Sequence, residues 1–232
     1  MHKNRQALKA AFPHTLPVLA GFLFLGMAYG ILMSSKGFGW TWSLLVSTCV
    51  FAGSMQFVAV TLLVAAFNPL YAFALTLMVN ARHLFYGISM LEKFRGTGKA
   101  KPYLIFSLCD ETFSILCSAK PPEGVDPTRF MVFVALLNQT YWVLGSALGG
   151  IAGQFIPFNT KGLDFALTAL FVVILVNQWK NARNHAPVLI GLACSAAALV
   201  LFGPDSFLIP AMLMILALLT ACRRPLSKEV DT

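Results

Sequence analysis

Residues 15–34 read TLPVLAGFLFLGMAYGILMS, twenty consecutive positions without a charged side chain. At about 1.5 Å of rise per residue such a run, coiled as a helix, is ~30 Å long, the thickness of a bilayer's hydrocarbon core. Runs of similar character recur at 40–67, 69–91, 129–152, 162–179, 186–202 and 206–222. Composition agrees, with 58% apolar and 11% charged residues, where soluble domains hold roughly 45–50% and 25%. The runs lack the ten-residue alternation of a barrel, and in lipid the backbone must satisfy its own hydrogen bonds, so the segments are helices. The expected fold is all-α, a polytopic transmembrane helical bundle forming a single transmembrane domain over residues 1–232.

The formal net charge of +8 would point to nucleic acid in a soluble protein. Here the basic residues lie between the apolar runs: Lys3, Arg5 and Lys9; Lys93, Arg95, Lys99 and Lys101; Lys180 and Arg183; Arg223, Arg224 and Lys228. That is the distribution of cytoplasmic loops, with the bilayer and no nucleic acid as partner. Both termini are expected on the cytoplasmic side of the cell (inner) membrane. The five cysteines form no CxxC pair and have no ligand-spaced histidines, so neither a metal nor a redox cofactor is expected. The first apolar run, about 19 residues, exceeds a signal peptide's 7–15 and is expected to remain as a helix of the mature protein.

Breaks are marked by Gly and Pro at 36–39, Asn68-Pro69, 96–98, 121–124, Pro157 and Gly203-Pro204. With the short run 103–118 included, eight segments emerge. Eight plain crossings with both ends inside would place Glu92–Lys101, with its four basic residues, outside, against the positive-inside rule. Six crossings restore the rule if two segments enter and return. The 40–67 run, interrupted at Ala52-Gly53-Ser54, and the 103–118 run, which carries Asp110 and Glu111, are the two candidates. The expectation is therefore 6–8 membrane segments, with a broken or re-entrant helix near 52–54.

Charged groups at membrane depth cost roughly 2.5–3.5 kcal/mol each on insertion scales, which makes them functional candidates. Three clusters qualify. In Asn80–Gly87, helical periodicity places Ala81, Leu84, Phe85, Ile88 and Leu91 on one side and Asn80, Arg82, His83, Tyr86 and Gly87 on the other. The polar side reads as a site wall, with Arg82 or Asn80 facing a carboxylate and His83 able to titrate near neutral pH. The bland alternative is an interfacial helix end with snorkelling Arg82 and Tyr86. In Ser107–Ser118, a continuous helix would gather Ser107, Asp110, Glu111, Ser114, Cys117 and Ser118 on one arc. Adjacent carboxyls in an apolar setting repel, which favours a proton on one of them. Such a pair carries a proton or grips an ammonium group, unless it simply faces water or pairs with Arg82. In Phe51–Phe57, small residues before an amide suit an unwound helix whose half-helix N–H groups, with Gly53, Ser54 and Gln56, meet a carboxylate. The alternative is packing, with Ser54 and Gln56 bonded to a neighbouring helix.

The stripes Gly26/Gly30 and Gly145/Gly149/Gly153 are spaced for close helix approach. Asn138 shares the face of the second stripe and is a further candidate. Asp164 falls in the first turn of an expected helix, where a carboxylate complements the dipole. Asp205 reads as a helix start.

The same landmarks carry a resemblance. The chain resembles the AzlC family, large subunits of branched-chain amino acid exporters. The matching stretches are Phe51-Ala52-Gly53-Ser54-Met55-Gln56-Phe57, Asn80-Ala81-Arg82-His83-Leu84-Phe85-Tyr86-Gly87, Asp110-Glu111-Thr112-Phe113 and Leu163–Phe171, in that order. Cys109 departs from the pattern, which has Thr before Asp-Glu. The resemblance implies export of Leu, Ile, Val and Met, and a separately encoded small membrane subunit of the AzlD type. Proton coupling is a plausible extension of it.

The leading functional expectation is thus a secondary transporter for an aliphatic amino acid, with no covalent step. Substrate binding is assigned to Gly53, Ser54, Gln56, Phe57, Asn80, Arg82, Tyr86 and Asn138, and coupling to His83, Asp110, Glu111 and Asp164. No GxxxxGK[ST] stretch is present, so the chain itself hydrolyses no ATP. Two other classes compete. An intramembrane hydrolase would use Ser54 as nucleophile and His83 as base, but Ser54 lacks a nucleophile-elbow context. A channel, or a transporter for another small solute, would need a filter or a different pocket.

Overall fold

The computed structural model describes residues 2–66, 68–155, 172, 175–176, 179–180, 184–203 and 207–222. Asp164, the Leu163–Phe171 landmark, Asp205 and the basic residues Arg183, Arg223, Arg224 and Lys228 lie outside the described residues. Among those described, the regular elements are all helical: α1 (His2–Ser35), α2 (Trp40–Cys49), α3 (Gly53–Val64), α4 (Pro69–Met90), a 3-10 turn (Gly98–Ala100), α5 (Lys101–Phe106), α6 (Asp110–Ser118), α7 (Pro127–Phe155), α8 (Ala186–Phe202) and α9 (Leu208–Ala221). Two of them, Lys3–Ser35 and Pro127–Phe155, are long and apolar enough to cross a membrane. The chain divides into two compact units, Met1–Leu167 and Thr168–Thr232. In the second, α8 and α9 pack against each other.

The spine of the first unit is the parallel pair α1 and α7. A Cβ on Gly26 would lie 2.9 Å from the carbonyl oxygen of Trp142, and one on Gly145 2.7 Å from that of Leu23. At Gly30 and Gly149 it would overlap the backbones of Ser146 and Met27. The glycine stripes therefore let two backbones touch, as their spacing implies, and the contact gains dispersion energy over its whole length. At the end where both helices begin, Ala11, Met90, Phe94, Leu104, Leu116 and Phe130 form an apolar cluster, and Arg129 donates to Asn4 Oδ1 at 2.5 Å. The loops and helix starts at this end carry Lys93, Arg95, Lys99, Lys101, Lys120 and Arg129. It is the basic end of the unit.

Both interrupted runs turn back on themselves. α2 starts beside Gly150, whose Cβ would lie 2.9 Å from the Trp40 Cα, and descends α7 until Gln139 Nε2 donates to the Thr48 carbonyl at 3.1 Å. The chain then breaks over Val50–Ala52, and Phe51 takes φ +40°, a conformation that costs a bulky L-residue on the order of 1–3 kcal/mol. α3 leaves that break beside Arg82 and ends at Val64, a few residues before α4 begins at Pro69. α3 and α4 are therefore antiparallel neighbours, and α2–α3 is a hairpin entered from the end opposite the basic one. Asn68 caps α4 by accepting from the Tyr71 N–H at 3.1 Å, with Pro69 at the first helical position.

The second hairpin is entered from the basic end. α5 begins there, with Leu104 in the apolar cluster, and breaks over Ser107–Cys109. α6 then returns, and Lys93 Nζ donates to the Leu116 carbonyl at its C-terminal turn. By sequence the 103–118 run is a candidate to enter and return, while the shared polar arc of 107–118 assumes a continuous helix. The break removes Ser107 from that arc: its hydroxyl instead donates to the Tyr103 carbonyl at 2.8 Å. Ser114, Cys117 and Ser118 are exposed, and Thr112 and Leu116 form the buried side of α6.

Candidate functional site

The two hairpin tips meet at α4. Arg82, about two turns before the end of α4, donates through Nη2 to the Ser54 hydroxyl at 2.9 Å and through Nη1 to the Asp110 carboxylate at 2.6 Å. Ser54 lies in the first turn of α3, and Asp110 is the first residue of α6. One guanidinium thus bridges the starts of two half-helices that enter from opposite ends. Its fork geometry makes this possible, since a lysine ammonium offers no comparable planar spread of donors. The two side chains are 25% and 29% exposed, so the pair is neither dry nor freely solvated. Arg82 Nε and Asp110 Oδ1 are buried and carry no partner of their own.

Beside this junction is a cavity of about 460 Å³, within the range of small-molecule sites. The first break contributes Val50, Phe51 and Ala52, and the second hairpin Ile105, Phe106 and Leu108. α4 contributes Phe73, Thr76, Leu77, Asn80, His83, Leu84 and Gly87. The walls are mostly apolar, and the polar groups, Thr76, Asn80 and His83, come from one helix face. His83 Nδ1 lies 3.2 Å from the Asn80 carbonyl oxygen.

The sequence-assigned residues divide into three groups. Asn80 and His83 line the cavity, while Ser54, Arg82 and Asp110 form the junction. Tyr86 joins them by stacking on Phe113 of α6 at 4.4 Å and meeting His83 edge-on at 5.6 Å. A second group supports the junction from behind. Gln56 is fully buried; it donates to the Ser47 hydroxyl at 3.2 Å and accepts from the Trp142 indole at 2.6 Å. Phe57, also fully buried, meets Tyr29 edge-on at 5.7 Å. Gly53 faces the Trp142 ring, which a Cβ would approach to 3.1 Å. Asn138 is buried on α7 and donates to the Thr112 hydroxyl at 3.1 Å, which also lies 3.2 Å from Cys109 Sγ. The third group is Glu111, next to Asp110 but without an ion-pair partner among the described residues, and Asp164, which lies outside them.

The apolar lining, including Phe73, Leu77, Ile105 and Phe106, escaped the sequence reading. Nothing in residue type separates a cavity wall from a lipid-facing side chain. Residues at 76/77, 80, 83/84 and 87 do share one helical face, and that periodicity was the available signal.

The geometry speaks to chemistry. Ser54 Oγ is held by a guanidinium, which cannot take its proton, and His83 is turned to its own helix. A nucleophile–base pair is therefore not assembled here. Among the described residues no group of three His, Cys, Asp or Glu is placed to hold a metal ion.

Two broken hairpins about a central junction, on an all-helical scaffold, define an all-α membrane protein with a solute-sized cavity. The family described as AzlC protein matches residues 17–156. The chain belongs to this family. It is 57% identical, over 98% of its length and 91% of the relative's, to the Bacillus subtilis (strain 168) protein named branched-chain amino acid transport protein AzlC. An uncharacterized membrane protein of Haemophilus influenzae is 45% identical over 94% of this chain and 91% of its own length. The Escherichia coli K12 inner membrane protein YgaZ is 29% identical over 86% of this chain and 82% of its own. No solved structure matches.

Proposed function

We propose that the chain is the large subunit of a secondary transporter that exports branched-chain amino acids (Leu, Ile and Val, with Met as a further cargo). The observation that carries this reading is the Arg82–Asp110 pair at the meeting of two helix breaks, beside an apolar cavity. A zwitterionic amino acid presents the same two charges. Its carboxylate takes the place of Asp110 on Arg82, and its ammonium group that of Arg82 on Asp110, so one ion pair becomes two. Helix N-termini at Gly53 and Asp110 add N–H groups for the carboxylate. The aliphatic side chain sits against Phe73, Leu77 and Ile105, with Asn80 and Tyr86 bounding the polar end. Gln56, Phe57 and Asn138 hold the tips from behind.

The 1–232 chain works as one transporter domain in the cell membrane, with several crossings. α1, α4 and α7 cross, and the two hairpins are re-entrant, which puts the basic end and the N-terminus in the cytoplasm. The C-terminus is assigned to the same side. Proton movement is assigned to Glu111, His83 and Asp164, with Asp110 coupled to it through Arg82. A small AzlD-type membrane subunit is the proposed partner. No step of this cycle makes or breaks a covalent bond.

The test is efflux of radiolabelled leucine or valine from preloaded cells, with this chain expressed alone and together with a small membrane protein encoded beside it. Faster efflux with both, and not with either alone, is the expected result. Unchanged efflux in every case removes the cargo assignment.

A further inference from the structure

The junction ties together two hairpins that enter from opposite ends. The tip at Val50–Ala52 belongs to a hairpin entered from the end opposite the basic one, and the tip at Ser107–Cys109 to one entered from the basic end. Each tip lines the same cavity, so moving either hairpin would open that cavity toward a different end of the unit. Both hairpins are joined to α4 through one side chain, Arg82, by way of Ser54 on the first and Asp110 on the second. Gln139 of α7 also reaches both, donating to the Thr48 carbonyl of the first and accepting from the Tyr103 hydroxyl of the second; the remaining supports differ. The first rests on α7 and α1 through Gln56–Trp142 and Phe57–Tyr29. The second rests on α7 through Asn138–Thr112.

We propose that the two hairpins are opposed gates on one cavity, and that Arg82 is a positioning residue whose bonds to Ser54 and Asp110 keep both gates from being open together. Releasing Asp110 frees the second hairpin while the first stays tied to Ser54, and releasing Ser54 does the reverse. A carrier needs this exclusion, because a cavity open to both sides would be a pore. The strained backbone at Phe51 fits a hinge: a residue already outside its preferred φ region gains by moving. The inference rests on the transporter reading, but its test does not use the cargo.

The experiment places a reporter cysteine in the cavity wall, Thr76→Cys or Ala52→Cys, after replacing the accessible Cys49, Cys117 and Cys222 by serine. A membrane-impermeant maleimide is then applied to right-side-out and to inside-out vesicles. With both bonds of the native junction made, labelling is expected to be slow from either side. In Asp110→Asn it is expected to rise roughly tenfold from the side of the basic end, and in Ser54→Ala from the opposite side, within the range of ordinary site-to-site coupling. Asp110→Glu restores slow labelling, which a merely structural role would not require. Ser54→Ala removes only a hydroxyl and carries the test where Asp110→Asn does not reach the membrane. Fast labelling of the native junction from both sides, or the same sidedness in both variants, overturns the proposal. A chain that moves no leucine but shows the change keeps its gates and loses its cargo. Leucine transport with unchanged labelling does the opposite.

Discussion

Arg82 and Asp110 meet at 2.6 Å, although a helix end, a loop and a half-helix separate them along the chain. Their meeting depends on the second hairpin reversing at Ser107–Cys109, which brings the start of α6 up to the middle of α4. The bond is a consequence of topology, and it gives the cheapest way to perturb the site without touching the scaffold.

Asp110→Asn leaves Arg82 with the Ser54 hydroxyl as its remaining partner. Exposed pairs contribute ~0–1 kcal/mol and breaking a buried pair costs ~3–5, so loss of this quarter-exposed one should cost about 1–3 kcal/mol. Thermal melting in detergent would register the loss, and Asp110→Glu should recover most of it. Equal melting of Asp110→Asn and the parent would mean that the pair contributes nothing to the fold.

The spine predicts opposite outcomes for two glycines. Gly149→Ala drives a methyl group into the Met27 backbone and should cost at least the ~1–3 kcal/mol of an overpacked core. Gly21→Ala meets nothing within 4 Å and should be neutral or stabilising by up to about 1 kcal/mol through helix propensity. The two melting curves should move in different directions or by clearly different amounts.

Gln56→Leu keeps the volume at a fully buried position but strands the Trp142 indole and takes a donor from Ser47. An unsatisfied buried group costs about 1–3 kcal/mol. The expected phenotype is lower stability with an unchanged KM for leucine in the protein that folds. A raised KM at unchanged stability would return Gln56 to the binding surface.

The two adjacent carboxyls should separate under a pH gradient. Glu111→Gln removes the carboxyl that makes no ion pair among the described residues and should abolish pH-driven efflux while preserving leucine exchange. Asp110→Asn should impair both, because it also removes the ammonium partner. Vesicle assays with and without an imposed gradient distinguish the two, and unchanged pH dependence in Glu111→Gln would refute its role.

Cargo preference should follow the cavity wall. Ile105→Ala enlarges the pocket beside the second break and should shift preference from valine toward methionine. Changes of this size are worth ~1–3 kcal/mol, roughly 5- to 150-fold in a competition ratio. Competition of unlabelled amino acids against labelled leucine reads it directly, and an unchanged order of preference would place the side-chain pocket elsewhere.

Much of this was legible before any coordinates. The apolar runs marked the helical class and the glycine stripes marked two helix faces built for close approach, because both depend on composition and spacing alone; that the two faces meet each other is seen only in the fold. The interruption near residue 53 showed itself through small residues, although the turn is made one step earlier by Phe51, a residue type that gives no warning of a positive φ. The 103–118 run was marked as one that could enter and return, by its shortness and its two carboxyls, but the place of its break was concealed. Ser107-Leu108-Cys109 contains neither Gly nor Pro, so the polar arc was drawn on a continuous helix and misplaced. Gln56 and Phe57 sit within one of the landmark stretches yet face α7 and α1, since a hairpin tip needs anchoring as much as it needs a binding surface. The cavity's apolar walls could not be told from lipid-facing positions, because burial against a neighbour and burial in lipid select the same side chains.

The most direct test of the central claim is counterflow. The chain, with its small partner subunit, is reconstituted in liposomes loaded with unlabelled leucine, and uptake of trace labelled leucine is followed for the parent and for Arg82→Ala. The account requires saturable, transient accumulation in the parent and its loss in Arg82→Ala, with folded protein present in both. Undiminished counterflow in Arg82→Ala would contradict it, because substrate would then cross without the residue on which both hairpins converge.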